Sequence, residues 1–239
     1  MKFRYVLLMG VVMAGMAMAE KKAPPAAPGE VEITAEPHHR MIYQNDWVRV
    51  FDVTIMPKDA TQMHAHRHDY VFVTLGTAEV SNEVKGKPPV HLSLADGEAR
   101  FAEGGFAHVV RNVGTTPFRN IAVEFLQDAK MRNAPADKFN DENSVQVQGG
   151  GQEQVLFIKD GVRVARVQIE VAGFEKRHHH DGPQLVIALN DVTLRSDSPE
   201  KGPMNLEMKA GQVRWIEGNL THSVTNVGTQ PARFVSLEF

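Results

Sequence analysis

The sequence predicts an all-β protein built as two tandem barrels or sandwiches. Apolar residues alternate or cluster in short runs rather than at the 3.6-residue helical period. Gly, Pro, Asn and Asp punctuate these runs at regular spacing, as in many-stranded folds. The whole pattern occurs twice, 114 residues apart and without a gap from Asp46/Asp160 to Phe125/Phe239.

Residues 1–19 open with Lys2 and Arg4, continue through a short apolar run and end on Ala17-Met18-Ala19. That is the layout of a secretory signal peptide cleaved before Glu20, which implies a periplasmic or secreted protein. The run is shorter than the roughly 20 residues a spanning helix needs, so no stable membrane anchor is expected. The chain has no cysteine, so its core stands without disulfides and any metal must be held by nitrogen and oxygen. Loss of Lys2 and Arg4 with the signal takes the net charge from −3 to −5. An acidic surface without a basic cluster argues against a nucleic-acid partner.

Residues 20–37, rich in Pro and Ala, are expected to form a tether. The first unit, 38–128, carries strand-like runs at 47–55, 70–75, 78–80, 90–94 and 120–125. The polar stretch 129–150, with Pro135, reads as a linker. The second unit, 151–239, repeats the strand pattern at 155–158, 162–169, 185–189 and 234–239.

Three histidines repeat in register. His64, His66 and His108 of the first unit recur as His178, His180 and His222 of the second. On a strand, the i and i+2 spacing points both imidazoles to one face, and a later strand can bring in the third. Three converging imidazoles suit a divalent transition metal such as Fe, Mn, Zn, Ni or Cu. His38, His39 and His91 have no partner in the repeat and are expected at the surface, and His179 points away from its neighbours.

These residues resemble the cupin superfamily over nearly all of both units. Its first motif, His-x-His with a Glu three or four residues on, resembles the segments from His64 to Tyr70 and from Gly173 to Gln184. Its second motif resembles Gly97 to Asn112 and Gly211 to Asn226. The resemblance implies two tandem double-stranded β-helix (jelly-roll) barrels, a bicupin, with a metal inside each and a ligand mouth at one end. Cupins commonly dimerise through their sheets, so a homodimer is one expectation.

The sequence departs from the family where its metal-ligating glutamate should stand. Tyr70 occupies that place in the first unit and Gln184 in the second. Gln184 is expected to coordinate through its amide oxygen. Tyr70 could ligate, hydrogen-bond a bound ligand or cap the site, and His68 could substitute as a fourth ligand. Glu103 and Glu217 replace the family's proline and could stand behind the ligands near the mouth. Glu124 and Glu238 recur on the last strand; both its faces carry apolar residues, so parity does not fix their direction, and outward is the favoured expectation. Phe101 and Trp215 read as core aromatics.

A three-histidine centre without a carboxylate keeps open positions and attracts small oxygenated or anionic molecules. The leading expectation is a metal-dependent, dioxygenase-like enzyme on a small-molecule substrate, with the second unit as the working site. The rival is a non-catalytic barrel that captures a small ligand or stores metal.

Overall fold

Both halves fold into the strands that their alternation predicts. The computed structural model describes residues 27–127 and 150–239, together with two short strands between them. The expected leader 1–19 and most of the expected linker 129–150 lie outside the described residues. Among those residues, no helix is long and apolar enough to cross a membrane.

The first unit contains β1 (Val31–Glu32), β2 (His39–Gln44), β3 (Val48–Ile55), β4 (His64–His66), β5 (Tyr70–Leu75), β6 (Ala78–Val84), β7 (Val90–Leu94), β8 (Ala99–Ala102), β9 (Phe106–Asn112) and β10 (Phe118–Phe125). They form two facing five-stranded sheets, ordered β1-β4-β9-β6-β7 and β2-β3-β10-β5-β8. After β11 (Lys138–Phe139) and β12 (Ser144–Gln146), the second unit runs through β13 (Gly151–Lys159), β14 (Val162–Ile169), β15 (Phe174–His180), β16 (Gln184–Ala188), β17 (Val192–Ser198), β18 (Gly202–Met208), β19 (Val213–Ile216), β20 (Leu220–Asn226) and β21 (Ala232–Glu238). Its sheets are ordered β11-β13-β14-β21-β16-β19, with β12 also on β13, and β15-β20-β17-β18.

The repeated motif residues fix equivalent turns. Asn112 Nδ2 donates to the carbonyls of Ile55 and Thr116, and Asn226 Nδ2 to those of Ile169 and Gln230. Each asparagine is buried and also accepts from a glycine N–H two residues on, so one side chain ties the last strand to its barrel. Gly104 and Gly218 recur because a Cβ at either would lie within 2.6 Å of backbone atoms, of His68 and Asp181 respectively.

The barrels pack on each other through the β2-β3-β10-β5-β8 sheet of the first and the larger sheet of the second. Val50, Val73 and Val123 from one unit and Val164, Ile187 and Leu237 from the other belong to a single buried cluster. The contact follows the repeat as a pseudo-twofold. Arg119 reaches the carbonyl of Ala210 at 3.3 Å, while its counterpart Arg233 reaches Asp96, the counterpart of Ala210, at 2.7 Å. Phe125 and Phe239, equivalent residues, meet edge to face with centroids 5.8 Å apart. Phe101 and Trp215 pack at this interface, not inside their own barrels.

That interface corrects one expectation. On β10, Ile121, Val123 and Phe125 face the neighbouring barrel, which sends Asn120, Ala122 and Glu124 into their own. The outward face of the last strand is therefore protein, and Glu124, with no exposed surface, points inward. Glu238 does the same in the second barrel, where it lines the cavity.

The expected tether is also structured from its middle onward. Val31 and Glu32 pair in parallel with His64 and Ala65, and Ile33 is 2% exposed in the first core. The edge of β4 is thereby covered. Among the described residues, its counterpart β15 carries no such strand and stands at an edge.

Candidate metal centres

Each barrel assembles its three repeated histidines from two adjacent strands. His64 pairs directly with His108 across β4 and β9, and His178 with His222 across β15 and β20. Imidazole centroids lie 4.5, 5.1 and 5.0 Å apart in the first barrel and 4.6, 4.7 and 5.3 Å apart in the second.

Hydrogen bonds behind the rings set their tautomers. His64 Nδ1 donates to the Gln62 carbonyl at 2.9 Å, and His178 Nδ1 to that of Lys176 at 2.7 Å. His108 Nδ1 donates to Asn82 Oδ1 at 2.7 Å, and His222 Nδ1 meets Ser196 Oγ at 2.8 Å. The lone pairs of His64, His108 and His178 therefore sit on Nε2.

In the first barrel the Nε2 atoms of His64 and His108 face each other across 3.0 Å. Two lone pairs at that distance repel, and a shared cation relieves them. Two nitrogens bound at ~2.0–2.1 Å to one ion stand roughly 3 Å apart. In the second barrel, Nε2 of His222 is buried with no protein partner, as an open ligand atom would be. Burial, then the neighbouring His39, pulls His64 down to about 4; burial, then His178, does the same to His222. Burial also holds His66, His108 and His178 below the ordinary histidine range. Burial thus favours the neutral form of His64, His66, His108, His178 and His222, the form a divalent transition metal requires.

The places of the missing family glutamate are filled differently. Tyr70 is buried and stacks on His66 with centroids 4.0 Å apart, so it caps that ring. Burial, then Glu124, raises its phenol above the ordinary tyrosine range, which keeps it protonated. The Gln184 amide, expected on the ion, instead meets Nδ1 of His180. Glu238 accepts from that same nitrogen at 3.0 Å, which leaves Nε2 of His180 for an ion. Tyr70 pairs across strands with Glu124, and Gln184 with Glu238. A carboxylate thus stands behind the second histidine of each barrel, one strand away from the family position.

Three candidate residues stand apart from the converging nitrogens, and so do His91 and His179. His68 lies in the turn after β4 and outside the converging nitrogens. Glu103 and Glu217 are exposed turn residues, and Glu217 accepts from Trp215 Nε1 at 3.0 Å. His91 is exposed and bonded to Glu79. His179 is half exposed against Thr221 and Asp181.

Two residues at the sites carried no signal in the repeat. His39, expected at the surface, has a side chain only 6% exposed, and one of its ring nitrogens lies within 4.8 Å of one from His64 and one from His66. Glu175 lines the second cavity. Strict alternation from His178 would turn Glu175 outward, but a register shift between Glu175 and His178 brings it in. Burial, then nearby Glu153, raises its carboxyl to about 7.

The two centres differ most in access. The first adjoins a cavity of about 70 Å³, and the second opens into one of about 710 Å³. The cause is local: β1 closes the edge beside His64, and among the described residues no strand closes β15.

Glu124 of the first barrel yields a measurable consequence. Burial lifts it to about 7 against the opposing pull of Arg49, whose Nη1 lies 3.2 Å away. The folded state binds a proton that the unfolded state lacks between about pH 4.5 and 7, so stability falls as pH rises through that window. Glu124→Gln removes this slope. In urea unfolding of the metal-free protein, the wild type should lose up to roughly 3 kcal/mol relative to the variant between pH 4.5 and 7.5. Parallel pH profiles would refute the assignment.

The fold is that of a bicupin, two tandem cupin barrels. No protein-family profile matches the sequence, and no curated protein matches it either. Solved structures do. Lactobacillus farciminis oxalate decarboxylase, in its formate complex, superimposes with a TM-score of 0.61 at 14% identity, covering 81% of this chain and 77% of its own. AerE from Microcystis aeruginosa gives 0.57 at 13% identity, covering 85% and 97%. Bacillus subtilis oxalate decarboxylase, a protein with Mn(II) centres, gives 0.58 at 11% identity, covering 81% and 69%. At these identities the likeness is one of fold. The donor sets of this chain mark each barrel as a candidate divalent-metal site.

Proposed function

We propose that the second barrel is a metal-dependent, dioxygenase-like enzyme site for a small oxygenated substrate with an apolar body. One observation carries this reading: the three repeated imidazoles and the half-buried carboxyl of Glu175 open into a single large, mostly apolar cavity. Val167, Val186, Leu206, Val224 and Phe234 form much of its wall. The volume lies within the range of small-molecule sites. An oxalate-sized dianion would leave that wall largely uncovered, which favours a larger, partly apolar molecule over the substrate named for the structural relatives.

A divalent ion at His178, His180 and His222 would supply a Lewis-acidic centre that polarises a substrate oxygen. The protein divides the remaining work between two carboxylates. On Glu238 burial acts upward, but the hydrogen bond from His180 together with the charges of His180, Arg163 and His178 holds the group below the ordinary carboxylate range. Glu238 therefore stays ionised and fixes the His180 tautomer. Glu175, at about 7, is poised to take the acidic proton of an enol or hydroxyl. Neighbouring groups pushed apart in this way mark the proton carrier.

The test is oxygen uptake and product analysis on metal-loaded protein with a panel of enols, flavonoids and thiols, and with oxalate as comparison. Uptake with an apolar-bodied enol supports the reading. Ligand binding without turnover would identify a capture module, and carbon dioxide release from oxalate would identify a decarboxylase; either overturns it. With Glu175 as base, the rate rises with pH through about 7 and then levels. Glu175→Gln should lose that limb and about 10²–10⁴-fold in rate.

Export is part of the same proposal. It is supported by the signal-like residues 1–19. N-terminal sequencing of protein from the producing cells should begin at Glu20, and a retained Met1 would refute it.

A further inference from the structure

We infer that the first barrel is built around a closed, four-imidazole metal centre in which His39 is the fourth nitrogen ligand and the buried Glu36 holds it in place. This goes beyond the enzymatic reading of the second barrel and shares with it only the premise that the repeated histidines hold a metal.

His39 arrives from β2, in the sheet opposite the one that carries His64 and His108. Its ring lies 4.5 Å from that of His64, on the same scale as the His64–His108 contact. Nδ1 of His39 donates to Glu36 Oε2 at 2.6 Å, so Nε2 is the nitrogen left to offer. His64 is thus flanked by His39, His66 and His108; His39 and His108 are held by bonds behind the ring, and His66 by its stack on Tyr70.

Glu36 is built for this task. Its side chain has no exposed surface, and among the described residues its ion-pair partners are the imidazoles of His38 and His39 rather than a lysine or arginine. Oε2 accepts from His39 Nδ1 and the His38 N–H, and Oε1 from His38 Nδ1 and the Gln62 N–H. Gln62 in turn accepts from His64 Nδ1 through its carbonyl. One buried carboxylate and one peptide therefore orient two imidazoles together, the carboxylate–histidine arrangement that stands behind metal ligands.

Access separates the two centres in the same sense. Structural metal sites are closed by four protein ligands, whereas catalytic ones keep an open position. The first barrel, sealed by β1 beside a cavity of about 70 Å³, has no room for a substrate of the size proposed for the second. His39 pairs with Val53 as Glu153 pairs with the equivalent Val167, so Glu153 stands where the fourth imidazole would be. Glu153 is engaged by Arg163. Four imidazoles occur only in the first barrel, where an ion would clamp one sheet to the other.

The experiment uses the full chain with His178→Ala and His222→Ala, so that only the first centre is loaded. After reconstitution with Zn(II), X-ray absorption should count four imidazoles, and elemental analysis should find one ion per chain after dialysis against a chelator. His39→Ala should leave three imidazoles and make the ion chelator-labile. Glu36→Gln, which keeps the ligand but loses its orientation, should weaken Zn(II) binding by about 10–100-fold. Three imidazoles in the protein with His39 intact, or no retained ion, overturns the inference. That count decides the matter even if His39→Ala fails to fold. Elemental analysis of the unsubstituted chain separates the two readings: no ion in the doubly substituted protein but one in the unsubstituted chain sinks this inference alone, and no ion in either sinks the enzymatic reading as well.

Discussion

His222→Ala is expected to empty the second centre and to abolish turnover there. His222 is 4% exposed, its Nε2 has no protein partner, and its Nδ1 is held by Ser196. Nothing nearby replaces it. The counterpart of His39 is Glu153, bound to Arg163, and the Gln184 amide is against His180. Metal affinity should fall by more than the roughly 10–100-fold typical of losing a group behind a ligand. Elemental analysis should show one ion fewer per chain, and oxygen uptake should reach background. His91→Ala, at an exposed imidazole bonded to Glu79, should change neither. Retained metal and turnover in His222→Ala would place the working site elsewhere.

The largest effect on stability is expected at the contact between the barrels. Phe125 is 3% exposed and meets Phe239 edge to face, within a cluster that draws on both units. Phe125→Ala should cost about 3–5 kcal/mol, because the removed ring leaves a cavity that two stiff sheets cannot close. Trp47 and Trp215 both contact Phe239, so tryptophan fluorescence reports on this contact directly. Denaturant unfolding should give one transition for the whole chain, displaced in the variant. Two separate transitions in the wild type would mean that each barrel stands alone.

The contrast between the sites explains why one duplication serves two ends. Both copies keep imidazoles on paired strands and a carboxylate on the last strand. They diverge at the edge: residues before the first repeat cover β4 and bring in Glu36 and His39, while β15 stays bare. A sealed centre suits a clamp, and an open one suits chemistry.

Much of this was legible in the residues. Alternation at period two settles strand from helix, because it reflects which face is buried. The repeated histidines mark the sites, because only a strand puts His64 and His66 on one face. The direction of Glu124 was not legible, since a strand apolar on both faces does not reveal that its outer face lies against a second barrel. Glu175 was hidden by a bulge that reverses parity, and His39 by having no counterpart in the repeat. The sequence by itself determined the tandem β-architecture and the imidazoles, which follow from local periodicity and recurrence. Only the tertiary structure decided which carboxylates turn inward, which histidine joins from the opposite sheet and which barrel stays open. Those depend on the packing of segments far apart in the chain, and no local pattern encodes them.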